Sequence, residues 1–129
     1  MGNMFSLDAA RLPLVLVVDP MVASRHAMWR LLSRSFGVLE APDARRARDW
    51  LTSRPNIDAL VVQMELPDAQ GSDLVKSFAT AQVAVASRAI LVARPVDLRM
   101  VVTRLAGWFF SRDAMRAEVL WREADRLCS

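Results

Sequence analysis

The chain has 129 residues, 53% of them hydrophobic and 24% charged, with a formal net charge of +3. That length suits one domain, and that balance supports a packed core and excludes an intrinsically disordered chain. The positive charge is almost wholly arginine, Lys76 being the single lysine, and the arginines are scattered instead of forming one strip that would track phosphates.

Cys128 is the only cysteine, so no intramolecular disulfide and no cysteine-based metal cluster is expected, which suits a reducing cytoplasm. The apolar stretch from Leu12 to Val18 is interrupted by Pro13 and is too short to span a bilayer. Neither secretion nor membrane insertion is supported.

Residues 1–11 have no clear period and read as an N-terminal tail, with a single domain over 12–129. Leu14, Val15, Leu16, Val17 and Val18 form an unbroken apolar run, the pattern of a strand buried on both faces of a parallel sheet. Asp19 and Pro20 end it. Ala27, Met28, Leu31 and Leu32 then recur at helical spacing between Met21 and Ser35, with Arg30 opposite. Phe36 to Glu40 reads as a second strand. Pro42-Asp43 opens a second helix with Asp43 as N-cap and Ala44, Ala47, Trp50 and Leu51 inward, closed by Pro55-Asn56.

Ala59-Leu60-Val61-Val62 gives a third strand, followed by a polar loop from Gln63 to Ser72 and a helix marked by Leu74, Val75 and Phe78. Ala89-Ile90-Leu91-Val92 gives a fourth strand, and Leu98, Val101, Val102 and Leu105 a short helix. Gly107 to Ser111, carrying Trp108-Phe109-Phe110, reads as a fifth strand. Asp113 caps a closing helix whose inward residues are Met115, Val119, Leu120, Ala124 and Leu127. Five strand-then-helix units predict an α/β fold, a doubly wound five-stranded parallel sheet with helices on both faces. Its ligand edge lies at the carboxyl ends of the strands, at Asp19, Gln63, Ala93 and Ser111.

Two stretches carry a resemblance. In Gln63-Met64-Glu65-Leu66-Pro67-Asp68-Ala69-Gln70-Gly71 a proline stands four residues and a glycine eight residues after Gln63, and Val17-Val18-Asp19-Pro20 ends the first strand. Over residues 12–127 the chain resembles the receiver domain of bacterial two-component response regulators. The resemblance implies a flavodoxin-like strand order 2-1-3-4-5 with five helices. It also implies an acidic pair and a phospho-accepting Asp around Mg²⁺, a Thr or Ser ending the fourth strand, and a Lys ending the fifth.

The chemistry of that site needs a carboxylate nucleophile and cations that offset charge on the phosphoryl oxygens. Here the acceptor position is Gln63, whose amide cannot form an acyl phosphate, and the second acid is Pro20. The Thr or Ser position is Ala93, followed by Arg94, and the Lys position falls on Ser111, with Arg112 pointing to the other side of the strand. Glu65 matches a position at which the family offers a backbone carbonyl. A degenerate pocket of Asp19, Pro20, Glu65, Ala93, Arg94 and Ser111 is therefore expected, with no catalytic residue, no cofactor and no metal. Asp19 either caps the first helix or pairs with Arg94 in place of metal and phosphate. His26 reads as a structural histidine and Cys128 as an incidental thiol.

The family signals through its fourth helix, fifth strand and fifth helix, and Trp108 resembles the aromatic of that fifth strand. The span from Ala93 to Trp108 is short for the family and implies a trimmed fourth helix or loop. Arg104, Trp108, Arg112, Arg116 and Trp121 form the expected interaction face, since Trp and Arg dominate binding hot spots; Arg99 and Met100 come second. The expected function is a phosphorylation-independent, receiver-like module that binds another signalling protein or a copy of itself. Two alternatives stay open: a regulator that binds nucleic acid through a basic face, and a small-ligand switch on the same fold.

Overall fold

A computed structural model describes residues 12–79 and 83–128. The expected tail, residues 1–11, lies outside the described residues. Four parallel strands, β1 (Leu14–Val18), β2 (Gly37–Ala41), β3 (Ala59–Gln63) and β4 (Ala89–Val92), form one sheet in the order β2-β1-β3-β4. Five helices of two turns or more flank it among the described residues: α1 (Val22–Leu32), α2 (Ala44–Ser53), α3 (Gly71–Ala79), α5 (Leu98–Phe109) and α6 (Ala114–Cys128). A one-turn helix, α4 (Val83–Ala86), precedes β4.

The alternation of side chains along each strand divides the core into two layers. Val15 and Val17 of β1, Ala59 and Val61 of β3, and Ile90 and Val92 of β4 face α1, α5 and α6, meeting Met28, Leu31, Val102, Leu105 and Leu120. Leu16 and Val18 of β1 and Leu60 and Val62 of β3 face the other way, onto Ala44, Ala47 and Leu51 of α2 and Leu74 of α3. Both central strands are buried on both faces, the reason they carry no polar residue before Gln63.

Local chemistry sets the helix starts. Asp43, Asp97 and Asp113 each accept a hydrogen bond from the backbone N–H three residues on, at 2.8, 3.1 and 3.2 Å, so that a carboxylate satisfies an otherwise orphaned amide at the start of α2, α5 and α6. Gly71 is fixed by contact. A Cβ there would lie 2.2 Å from the carbonyl oxygen of Gln63, so only glycine lets α3 start directly against the end of β3.

The expected fifth strand, and with it the order 2-1-3-4-5, is corrected. Gly107, Trp108 and Phe109 are the last turn of α5, Phe110 is its C-cap, and Ser111 and Arg112 lie in the turn to α6. The stripe Leu98, Val101, Val102, Leu105 and Phe109 keeps helical spacing, and burial of that stripe outweighs the break suggested by Gly107, at which a Cβ would meet nothing. Two inward assignments on α6 also change: Met115 and Val119 are exposed, while Trp121 packs against the core and Glu123 is buried.

Candidate functional site

At the carboxyl ends of the strands lies a cleft of about 550 Å³ lined by Pro20, Gln63, Met64, Glu65, Gln70, Ala93 and Arg94. The tight loop between β3 and α3 forms its rim: Glu65 and Gln70 pair as an isolated bridge, and Gly71 N–H donates to the Met64 carbonyl at 2.8 Å.

Asp19, 4% exposed, does not line the cleft itself but bonds two residues that do, Gln63 and Arg94. Its Oδ1 accepts from Arg94 Nη2 at 2.7 Å and from the Met21 N–H at 2.9 Å, and its Oδ2 accepts from Gln63 Nε2 at 3.4 Å. Its backbone is held as well, since Asp19 N–H donates to the Ala41 carbonyl at 2.9 Å and Arg25 Nη1 donates to the Asp19 carbonyl at 2.8 Å. Arg25 is in turn paired with Glu40 at 3.2 Å. Asp19 does not cap α1. Met21 holds the N-cap position without a side-chain bond, and Asp19 turns the chain two residues earlier.

The structure thus brings Asp19, Gln63, Arg94 and Pro20 together, with Ala93 and Glu65 on the cleft wall. It does not bring Ser111 there; that residue is exposed in the turn between α5 and α6, because the strand assigned to it is helix. The charge that ends the last strand of the sheet comes from Arg94, two residues past β4.

This donor set does not fit the Mg²⁺ of a phosphorylating receiver. A hard cation needs several carboxylate or carbonyl oxygens with free lone pairs. Here one Oδ of Asp19 is taken by a guanidinium, the other faces a carboxamide, the next position is Pro20, and the exposed Glu65 is the one carboxylate among the residues lining the cleft.

Sequence reasoning missed a second anchoring carboxylate. Asp68, on the rim loop, reaches the N-terminus of α2, where its Oδ1 accepts from the Ala44 N–H at 2.8 Å and its Oδ2 from the Arg45 N–H at 3.0 Å. The Ala44 amide is the main reason its carboxyl is held below its ordinary 3.8; desolvation opposes the shift, and the Arg45 amide and the Arg48 charge add to it. Its partners are 24 and 23 residues away, so no local signal marks it.

The residues of the expected interaction face lie on α5, in the turn after it and on α6. Arg104 is exposed on α5, Trp108 is half-buried against the core, and Trp121 packs on the same core from α6. Arg116 lies over the Phe110 ring at 5.7 Å and pairs with Asp113, while Arg112 is exposed in the turn. Arg99 pairs with Asp125, and Met100 packs on the core. These residues belong to a helical hairpin, not to a helix-strand-helix face. His26 is exposed and stacks on Trp29, and Cys128 is exposed.

No family model matches the chain, and no curated protein matches it. Solved structures do. A response regulator receiver protein from Pseudomonas putida superposes with a TM-score of 0.67 at 24% identity, covering 76% of this chain and 98% of that one. A chain of the CheX–CheY–BeF3–Mg²⁺ complex from Borrelia burgdorferi gives 0.69 at 19% identity, covering 80% and 93%. A chain of the complex between the Saccharomyces cerevisiae histidine phosphotransfer protein Ypd1 and the receiver domain of Ssk1 gives 0.64 at 12% identity, covering 76% and 89%. With the parallel α/β sheet and the cleft at its strand ends, these likenesses show that the chain has the fold of a CheY-like receiver domain.

Proposed function

We propose that this chain is a receiver-like signalling module that works without phosphorylation, by binding another protein. One observation carries the reading: the acceptor position holds a buried carboxamide, and the Asp19 carboxylate beside it is bonded to Arg94 at 2.7 Å. Phosphoryl transfer needs a nucleophilic carboxylate and a cation bridging the transferred group. An amide supplies no such nucleophile, and a guanidinium pairs with the carboxylate that would otherwise hold the metal.

In a receiver, phosphorylation shifts a population between two conformations. An internal ion pair at the same place is present whatever the phosphorylation state of the cell, so any conformation it favours is favoured constantly. Control then rests with the abundance of the protein or of its partner. Protein binding as the mode of action is supported by the matched structures, two of which are complexes between signalling proteins. The fold is that of a signalling module, and no enzymatic activity is proposed.

The test is incubation with acetyl phosphate and Mg²⁺ followed by intact mass measurement, beside a phosphorylating receiver as control. The expected result is an unchanged mass. A one-phosphate adduct on Asp19 or Glu65 would overturn the reading.

A further inference from the structure

With no fifth strand beside it among the described residues, β4 is an edge of the sheet. Its backbone bonds to β3 run through alternate residues: Leu60 N–H donates to the Arg88 carbonyl at 3.0 Å and Met64 N–H to the Val92 carbonyl at 2.9 Å. The residues between, Ala89, Leu91 and Ala93, therefore turn their N–H and C=O groups to the open side. No backbone partner meets them among the described residues, and Leu91 is 38% exposed.

Sheet edges are ordinarily blunted by charge, proline or a bulge, because an open ladder templates a further strand. Ala89-Ile90-Leu91-Val92-Ala93 has none of these features. The arginines at its two ends are engaged elsewhere, Arg88 over the Phe109 ring at 5.6 Å and Arg94 on Asp19.

We propose that this edge is a self-association surface, with β4 of a second copy pairing antiparallel to it across a two-fold axis at Leu91. The choice of a second copy follows from register. When Leu91 lies opposite its own counterpart, the outward groups of Ala89 meet those of the partner's Ala93 and the reverse, so all three outward residues find partners at once. The two Leu91 side chains fall on the same face as direct cross-strand neighbours and shield each other from water. Small alanines flank them, and the pairing extends the sheet from four strands to eight. A contact of one short strand is smaller than a standard interface, so the dimer is weak and concentration-dependent. It involves only backbone groups and Leu91 and does not depend on the reading of the cleft.

Sedimentation velocity from micromolar to near-millimolar concentration tests the proposal on the wild type, Leu91→Pro and Leu91→Lys, with circular dichroism to check folding. Leu91→Pro removes an N–H that β3 does not use, and Leu91→Lys places a charge at the centre of the pairing. Amide exchange on the wild type at both ends of the range supplies a readout that needs no variant. The expected result is a sedimentation coefficient that rises with concentration only in the wild type, together with slowed exchange at Ala89, Leu91 and Ala93. A wild type that stays monomeric would overturn the proposal, as would protection gathered on other residues or a dimer that persists in the folded Leu91→Lys chain.

Discussion

Arg94 Nη2 and Asp19 Oδ1 meet at 2.7 Å across the ends of two strands, β4 and β1, that are separated in the sheet by β3. The contact closes over Gln63 at the end of that middle strand and joins residues 75 apart in sequence. Asp19 is buried, whereas the Arg94 side chain is 37% exposed, so the two partners lose unequally when the pair is broken.

The first prediction follows from that inequality. Arg94→Met leaves a buried carboxylate with only the Met21 amide and a long bond from Gln63, and is expected to cost about 1 to 3 kcal/mol. Asp19→Asn leaves an arginine that can turn to water and is expected to cost less. Urea denaturation of both single variants and the double variant gives the coupling directly, expected at about 1 kcal/mol or more. A coupling near zero would make the pair incidental to the fold.

Gly71→Ala tests the close approach at the cleft rim. The added methyl would lie 2.2 Å from the Gln63 carbonyl, an atom of the strand backbone that cannot swing aside. The junction of β3 and α3 has to open, with an expected loss of about 1 to 3 kcal/mol in urea denaturation. The same change at Gly107, where nothing lies within 4 Å, is expected to stabilise α5 slightly, by up to about 1 kcal/mol. The contrast between the two alanines is the readout, and equal effects would contradict the geometry.

Much of this architecture was legible in the residues. β1 and β3 declare themselves as apolar runs too short for helices, and the turn chemistry at Asp43 and Asp113 marks two helix starts. Trp108-Phe109-Phe110 misled because a short apolar run beside a glycine fits a strand or the end of a buried helix equally well. Extending the spacing of Leu98, Val101, Val102 and Leu105 by one more turn reaches Phe109 and settles it as helix. In the cleft, Gln63, Pro20 and Arg94 could be placed because strand ends are countable. Asp68 could not, since its partners become neighbours only when α2 and the rim loop pack together.

Asp68 leads to a pH prediction with a definite sign. Its folded-state carboxyl is held below 3.8, chiefly by the Ala44 amide, so its stabilising effect is complete above the unfolded value and is lost as pH falls through the lower folded value. Asp68→Asn removes that dependence. Urea midpoints taken at mildly acidic pH and again below 3.8 are expected to converge between wild type and variant as the acid is added. A gap that stays constant would show that the carboxylate charge contributes nothing at the α2 N-terminus.

Glu123 presents the opposite case from Asp19, and magnitudes decide it. Its side chain is 7% exposed and ties α6 to the turn after α1 through Arg34 at 3.3 Å, with Arg126 on its other oxygen at 2.5 Å. Both arginines are more than half exposed, at 66% and 58%. Removing the carboxylate strands no buried charge, because each guanidinium can return to water. The cost of desolvating Glu123 in the folded state also disappears, and replacing a buried ionised partner by an apolar residue is often neutral or stabilising. Glu123→Leu, whose side chain adds apolar area beside Leu120 and Ala124, is therefore expected to change stability by less than about 1 kcal/mol in either direction. Arg94→Met is expected to be the more damaging of the two, although it removes one ion pair and Glu123→Leu removes two. Chemical denaturation of the two variants side by side distinguishes these cases, and a larger loss at Glu123 would mean that its ion pairs, not the apolar packing around them, hold α6 against α1.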